Sequence, residues 1–188
     1  MTNITHLLAK RIFNHECAQS LGTRFRVQRM HLFLTMVEEV FNKERFVKII
    51  DVGGTEQYWN TLISRQYLKS RNASIVIVNL PGRVSPRPSN TFTFVEADGC
   101  DLSCFGDKQF HIAHSNSVLE HVGDWERMVR FANEIQRVAQ RIFVQTPNYW
   151  FPVEPHCMTP FFHWLPKSIQ ARLLLHFSLG HWRKATSL

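Results

Sequence analysis

Short apolar runs alternate with longer amphipathic stretches through the middle of the chain. The runs at 47–52 (VKIIDV) and 73–80 (ASIVIVNL) are rich in Val and Ile and do not alternate, which is typical of strands covered on both faces. Between them, TEQYWNTLISRQYLKS at 55–70 predicts a helix with Thr55 as its N-cap. Strand, helix and strand in this order predict a right-handed parallel crossover.

The same criteria predict further elements on both sides of this crossover. Apolar residues at spacings of three and four over 25–43 predict an amphipathic helix, and 124–139 predicts another, with Trp125 and Phe131 on its inner face. The proline-bearing segment 81–90 predicts a loop. Further strands are predicted at 91–97, about 109–114 and 141–147.

Five strands joined by crossovers predict an α/β fold with an open, doubly wound and mostly parallel sheet. In such sheets ligands bind beyond the carboxyl ends of the strands, near the point where the strand order reverses. Polar residues and glycines follow four of the predicted strands, so we expect a ligand crevice there. These strand ends are Asp51-Val52-Gly53-Gly54, Asn79-Leu80, Asp98-Gly99 and Ser115-Asn116-Ser117.

The turn after the first strand is not a dinucleotide fingerprint. Gly53 and Gly54 are adjacent and are followed by Thr55, Glu56 and Gln57, so the later glycines of G-x-G-x-x-G are absent. Glu56 beside a helix N-terminus would repel a phosphate. The turn therefore favours a ligand with a cationic or zwitterionic group, and it disfavours a nicotinamide-dependent oxidoreductase.

Five motifs in order carry a resemblance to a known family: IIDVGG, IVNL, FVEADGCDL, FHIAHSNSVLEHVGDW and RIFVQTPN. Together they resemble the class I S-adenosylmethionine-dependent methyltransferases, particularly the methyltransferase type 11 group. The resemblance covers about residues 45–165. It implies a Rossmann-like fold, S-adenosyl-L-methionine as cofactor, and methyl transfer to a small-molecule or glycan-like acceptor.

The resemblance also implies roles for residues at the first two strand ends. Asp51, Gly53 and Gly54 would line the methionine moiety, with the Asp51 carboxylate near the ligand's ammonium group. Asn79, followed by Leu80, stands where the family usually has an acidic residue that holds the ribose hydroxyls. An Asn can form these hydrogen bonds without charge assistance.

The later strand ends would complete the cofactor site. Asp98 would accept a hydrogen bond from the adenine amino group, with Gly99 allowing close approach, and Ser115 and Asn116 would border the sulfonium. His121 is the candidate general base for a hydroxyl acceptor, because imidazole titrates near neutral pH. A structural role for His121, and loop-capping roles for Ser115 and Asn116, are the alternatives.

The C-terminal part departs from the family. Its sheet usually ends with antiparallel strands, whereas PKSIQARLLLHFSLGHWRKATSL at 166–188 predicts a helix capped near Gly180 and a polar tail. The fifth strand would then be an open edge unless 149–166 or a second subunit covers it, which leaves a homodimer open. His156, Cys157 and His163 lie in a segment stiffened by prolines, so we predict no metal site.

The 188 residues predict a single domain: an N-terminal helical region (1–45), a cofactor-binding core (46–148), and an aromatic, proline-rich segment with a C-terminal helix (149–188). The net charge of +7 is scattered, which argues against nucleic acid as the partner. Four cysteines without paired spacing, and no apolar run long enough to span a membrane, predict a cytoplasmic protein. The alternative function is a catalytically weak or inactive methyltransferase-like binding module.

Overall fold

The computed structural model describes residues 21–82, 91–151 and 159–177, with side chains from residue 28 onward. The chain divides into two compact units, one of Val27–Thr146 and one of Met1–Arg26 with Pro147–Leu188. The predicted organisation as a single domain stays a prediction.

The larger unit is built on a sheet of five parallel strands in the order β3-β2-β1-β4-β5. The order reverses beside β1, whose neighbours are β2 on one side and β4 on the other. The predicted α/β, Rossmann-like fold with a doubly wound sheet is confirmed. The elements of the described chain up to residue 145 are α1 (Leu21–Glu44), β1 (Val47–Val52), α2 (Glu56–Leu62), α3 (Arg65–Ser70), β2 (Ala73–Asn79), β3 (Phe92–Glu96), β4 (Phe110–Asn116), a 3-10 turn (Leu119–His121), α4 (Trp125–Val138) and β5 (Ala139–Gln145).

Apolar side chains cover both faces of the sheet. On one face Phe33 of α1 and Trp59 of α2 pack with Ile49 of β1, and on the other Phe131 of α4 packs with Ile50 of β1. Alternate residues of β1 therefore pack in opposite layers, which is why its apolar residues do not simply alternate with polar ones. Asp51 shares the face of Ile49, so its side chain enters the layer formed by α1 and α2.

The stretch predicted as one helix over 55–70 forms two helices. Ile63 is extended and ends α2, and the Ser64 side chain accepts a hydrogen bond from the Tyr67 amide and so caps α3. The predicted N-cap at Thr55 is confirmed, because its side chain accepts from the Tyr58 amide. Serine competes for backbone hydrogen bonds, which explains the break.

The prediction that Trp125 belongs to the core is wrong. Trp125 is the first residue of α4, directly after its N-cap Asp124, and its side chain is 77% exposed. Phe131, two turns further along, is buried as predicted. The apolar stripe of α4 begins only where the helix lies over the sheet.

Strand β5 ends the sheet within the described residues. It pairs with β4, and Ile142 and Val144 on one of its faces are exposed. Residues 152–158 and 178–188 are outside the described ranges, so the predicted absence of antiparallel strands stays a prediction, and the predicted cap at Gly180 lies there too.

The smaller unit contains a 3-10 turn (Phe162–Trp164) and α5 (Lys167–His176), in the region where a C-terminal helix was predicted. No helix in the described ranges is long and apolar enough to cross a membrane.

Candidate functional site

A cavity of about 580 Å³ opens at the carboxyl ends of the strands, where the strand order reverses. The strand-end cavity, as we call it, receives backbone and side chains from β1, β2, the segment after β3, the 3-10 turn after β4, and α4. Its lining residues are Val52, Gly53, Val78, Asn79, Leu80, Ala97, Asp98, Gly99, Ser117, Val118, His121, Val122, Arg127 and Phe131.

Six of the ten residues that the sequence singled out line this cavity. They come from the first three of the four predicted strand ends and include the candidate base: Gly53, Asn79, Leu80, Asp98, Gly99 and His121. The other four, Asp51, Gly54, Ser115 and Asn116, are not among the lining residues. Ser115 is buried and its hydroxyl donates to the Val52 carbonyl at 2.9 Å, so it joins β4 to the end of β1.

Asp51 is fully buried beneath the glycine turn. Its Oδ2 accepts a hydrogen bond from Trp59 Nε1 at 2.6 Å, and its Oδ1 lies 2.7 Å from His114 Nδ1. With Nδ1 donating to the carboxylate, His114 Nε2 is left as an acceptor for the Tyr58 hydroxyl at 3.4 Å. The expected direct contact of Asp51 with a ligand's ammonium group does not fit this geometry, because the side chain is fully buried and is not among the residues that line the cavity.

The two adjacent glycines are required by close packing. A Cβ at Gly54 would lie 1.6 Å from Asp51 Oδ2, and one at Gly53 would lie 2.4 Å from a methyl of Val118. Gly53 also has φ of +81°, a conformation that favours glycine. The turn is thus shaped from below by Asp51 and from the cavity side by Val118.

Asn79 bridges the second strand end to the glycine turn. Its Nδ2 donates to the Gly54 carbonyl at 2.9 Å. Its Oδ1 has no partner among the described residues and can accept a hydrogen bond from a ligand hydroxyl. An Asp at this position would have no donor for the Gly54 carbonyl, which gives a structural reason for the uncharged side chain.

Asp98 is held by two donors at the edge of the cavity. The Cys100 amide donates to its Oδ1 at 2.9 Å and Arg127 Nη2 to its Oδ2 at 2.6 Å. The Cys100 hydrogen bond, followed by the Arg127 hydrogen bond, holds the pKa of the Asp98 carboxyl below its usual range. Arg127 Nε also donates to the Val122 carbonyl at 2.6 Å, so this side chain joins α4, Asp98 and the loop after the 3-10 turn.

The 3-10 turn carries two ionisable side chains with different surroundings. His121 is exposed and lines the cavity. Glu120 is partly buried, and both of its carboxylate oxygens are shielded from solvent without a hydrogen-bond partner among the described residues. Burying a carboxylate without a hydrogen-bond partner reduces the free energy of unfolding, and in this respect Glu120 differs from the other carboxylates of the site.

Sequence reasoning missed Arg127 and Phe131, which reach the cavity from α4. Arg127 follows the N-cap Asp124 by three residues and Phe131 lies one turn further, so both project from the first turns of the helix. Residues four apart lie on the same face of a helix, and this spacing is the sequence signal that could have identified both residues.

Within the described ranges, no group of three or more His, Cys, Asp or Glu side chains is placed to hold a metal ion. His163 is described, whereas His156 and Cys157 lie outside those ranges.

The sheet and its flanking helices place the protein among the Rossmann-like α/β folds. A parallel sheet whose order reverses beside β1, with a ligand-sized cavity at that point, is the arrangement of Rossmann-like α/β proteins that bind nucleotide-type ligands. Residues 60–141 match the family model described as "Methyltransferase domain". This match, which covers less than half of the chain, confirms the resemblance to methyltransferase domains for these residues.

Two curated relatives match part of the chain. They are the uncharacterized proteins MT1557 and Rv1509 of Mycobacterium tuberculosis, from strains CDC 1551 / Oshkosh and ATCC 25618 / H37Rv, each 33% identical over 70 residues. The match covers 37% of this chain and 23% of each relative, so the chain spans about a quarter of the length of these proteins.

A solved structure is also similar. It is a crystal structure of an Anabaena variabilis ATCC 29413 protein assigned as a methyltransferase from an antibiotic biosynthesis pathway. The TM-score is 0.45 at 16% identity, over 77% of this chain and 61% of that one. A likeness at this level has no bearing on the acceptor or the mechanism.

Proposed function

We propose that the protein binds S-adenosyl-L-methionine in the strand-end cavity and transfers its methyl group to a small-molecule or glycan-like acceptor. The observation that carries the proposal is the convergence of Gly53, Asn79 and Asp98, from three separate strand ends, on one cavity. A structural turn needs such residues singly, whereas a ligand site needs them together.

The lining residues fit this cofactor in size and chemistry. A volume of about 580 Å³ lies in the range of cofactor sites. Asn79 Oδ1 can accept from a ribose hydroxyl, while Leu80 and Val122 offer apolar surface to a purine. Asp98 would face the adenine amino group with the lone pairs that Cys100 and Arg127 leave free.

Asp51 serves this proposal from beneath the turn. Its carboxylate positions Trp59 and His114 and supports the backbone at Gly54, so it acts as a positioning residue and not as a ligand contact. The backbone of Val52 and Gly53, which lines the cavity, would then meet the amino-acid end of the cofactor.

The bound cofactor supplies a methyl group that is already activated on a sulfonium. The protein's task is to hold the acceptor atom in line with that methyl at about 3 Å and to keep water away. His121 lines the cavity and can take the proton of a hydroxyl acceptor. Its neighbour Glu120, whose carboxylate has no partner among the described residues, lies in the same turn.

The first experiment is a calorimetric titration of the full chain with S-adenosylmethionine and S-adenosylhomocysteine. We expect saturable binding of both. Asn79→Ala should weaken binding about tenfold through the lost hydrogen bond. Asn60→Ala, at an exposed Asn of α2 outside the cavity, is the matched control and should bind like the parent protein.

A second candidate is a catalytically weak or inactive methyltransferase-like module that acts by binding a partner. The engagement of both Asp98 oxygens and the uncharged Asn79 favour it. If neither S-adenosylmethionine nor S-adenosylhomocysteine shows saturable binding, the proposed enzyme is refuted and the binding module remains the candidate.

The proposed enzyme works in the cytoplasm. Cys100 and Cys104 are free thiols, which suits a reducing compartment. A small-molecule acceptor requires no nucleic-acid partner, and a homodimer that covers the β5 edge stays part of the proposal.

A further inference from the structure

A second cavity, of about 500 Å³, lies within the smaller unit and is made entirely by residues after β5. We call it the aromatic cavity. Two aromatic side chains, an imidazole, an ammonium group and an amide line it together with a Leu and a Pro. The lining residues are Tyr149, His163, Trp164, Leu165, Pro166, Lys167 and Gln170.

Hydrogen bonds fix the walls of the aromatic cavity. The Tyr149 carbonyl lies 2.7 Å from His163 Nε2 and accepts from Trp164 Nε1 at 2.9 Å. On the far side, Gln170 Nε2 donates to the Leu165 carbonyl at 2.7 Å. The rings therefore keep their places without a ligand, and a preformed site loses little conformational entropy on binding.

His163 presents an unsatisfied acceptor. Because a carbonyl can only accept, Nε2 must carry the proton in the bond to Tyr149, and Nδ1 of the neutral ring is then a lone pair. Nδ1 is buried and has no partner among the described residues. A buried acceptor of this kind lacks a donor, and a hydroxyl group supplies one.

The same cavity also carries uncompensated positive charge. Lys167 is the first residue of α5 and has no ion pair among the described residues. The N-cap of α5 is Pro166, which offers no side-chain hydrogen bond, and the first turn contains no acidic residue. The ammonium group and the free amides of the first turn together favour an anionic group.

We propose that the aromatic cavity binds a monosaccharide-sized hydroxylated ring that carries an acidic group, as in a uronic acid. The half-exposed faces of Tyr149 and Trp164 would cover the apolar face of the ring. The ring hydroxyls would lie against the wall that His163 contributes to the cavity, and the acidic group would pair with Lys167. Lys167 also makes the cavity unsuited to a quaternary ammonium, which aromatic walls alone would accept.

The test is a titration of the full chain, without cofactor, by calorimetry and tryptophan fluorescence. The probes are glucuronate, glucose and acetate. We expect saturable binding of glucuronate, at least fivefold weaker binding of glucose, and none of acetate up to about 50 mM. Lys167→Met should weaken glucuronate binding about tenfold and leave glucose binding unchanged.

Arg172→Met is the matched control, because Arg172 is an exposed cation of the same helix and does not line the cavity. It should bind glucuronate like the parent. Tyr149→Leu should lose glucuronate and glucose together, and circular dichroism checks that it is folded.

Three results would overturn the proposal. They are no saturable glucuronate signal, acetate binding as tightly as glucuronate, and equal losses in Lys167→Met and Arg172→Met. None of these measurements involves methyl transfer, so they test the aromatic cavity independently of the function proposed for the strand-end cavity.

Discussion

Asp51 and His114 are joined by a hydrogen bond of 2.7 Å between Oδ1 and Nδ1, and both side chains are almost completely shielded from solvent. His114 is stacked on Phe143 at 5.8 Å between ring centroids, and Phe33 meets its edge at 5.4 Å. A polar pair is thus sealed in an aromatic layer directly under the glycine turn of the strand-end cavity.

We expect Asp51→Asn to lower the free energy of unfolding by about 2–4 kcal/mol, because an amide cannot accept from both Trp59 Nε1 and His114 Nδ1 as a carboxylate does. Urea denaturation at neutral pH measures this change. Asp107→Asn is the control, since that carboxylate is 77% exposed and its ion pair with Arg137 should contribute less than about 1 kcal/mol. Equal stability of the two variants would contradict the buried network.

Gly54→Ala should destabilise the protein and abolish the proposed binding of S-adenosylhomocysteine. The new Cβ would lie 1.6 Å from Asp51 Oδ2, so either the turn or the buried carboxylate must move. Gly106→Ala is the control, because its Cβ would meet nothing closer than Gln109 Oε1 at 3.8 Å. That control should be neutral or stabilising by up to about 1 kcal/mol. Thermal unfolding with and without S-adenosylhomocysteine compares the two, and a Gly54→Ala protein that behaves like Gly106→Ala would refute the close approach.

Arg127→Gln should raise the pKa of the Asp98 carboxyl. The pKa should stay below its ordinary value, because the Cys100 amide is the larger cause of the depression and remains in place. A depressed pKa adds stability above the unfolded pKa of about 3.9, and this stability is lost as the pH falls through the folded value. The variant should therefore lose less stability than the parent between neutral pH and about pH 3.

Carboxyl NMR titration measures that pKa, and acid unfolding measures the stability. With the Asp98 and Arg127 side chains 35% and 36% exposed, the effect on stability should stay below about 1 kcal/mol. Arg130→Gln, one turn away and exposed, is the control. If removing Arg127 leaves the Asp98 titration unchanged, the ion pair does not form in solution.

Glu120→Gln should increase the free energy of unfolding by about 1 kcal/mol, because a neutral amide costs less to bury without a partner than a carboxylate does. Glu126→Gln should have the opposite effect, of a few tenths of a kcal/mol, since Glu126 lies in the first turn of α4 and favours the helix dipole. Urea titration of both variants checks the signs. A marked loss of stability in Glu120→Gln would show that its carboxylate has a donor.

The strands and their order in the chain could be predicted because each apolar run is short and flanked by turn residues. Which way Asp51 points could not be predicted. In a strand buried on both faces, apolar residues such as Ile49 and Ile50 occupy both faces, so the alternation that would assign Asp51 to a face is hidden. Arg127 was missed for a different reason: its partner Asp98 is 29 residues away, and only the fold brings the two together.

The exposure of Trp125 also depends on information absent from a helical pattern. The periodicity of α4 places Trp125 near the inner stripe, but the position of the helix over the sheet decides where that stripe begins to be covered. The break between α2 and α3, in contrast, had a local signal in Ser64, an N-cap residue inside an apparently continuous helix.

The hydrogen bond under the glycine turn joins residues 63 positions apart in the chain. During synthesis, therefore, β1 and its turn leave the ribosome long before β4 can supply the imidazole that completes their support. Closing so long a loop is slow compared with forming the local helices. We therefore expect the strand-end cavity to form after most other features of the larger unit. Fragments that stop before β4 should contain helices but no cavity.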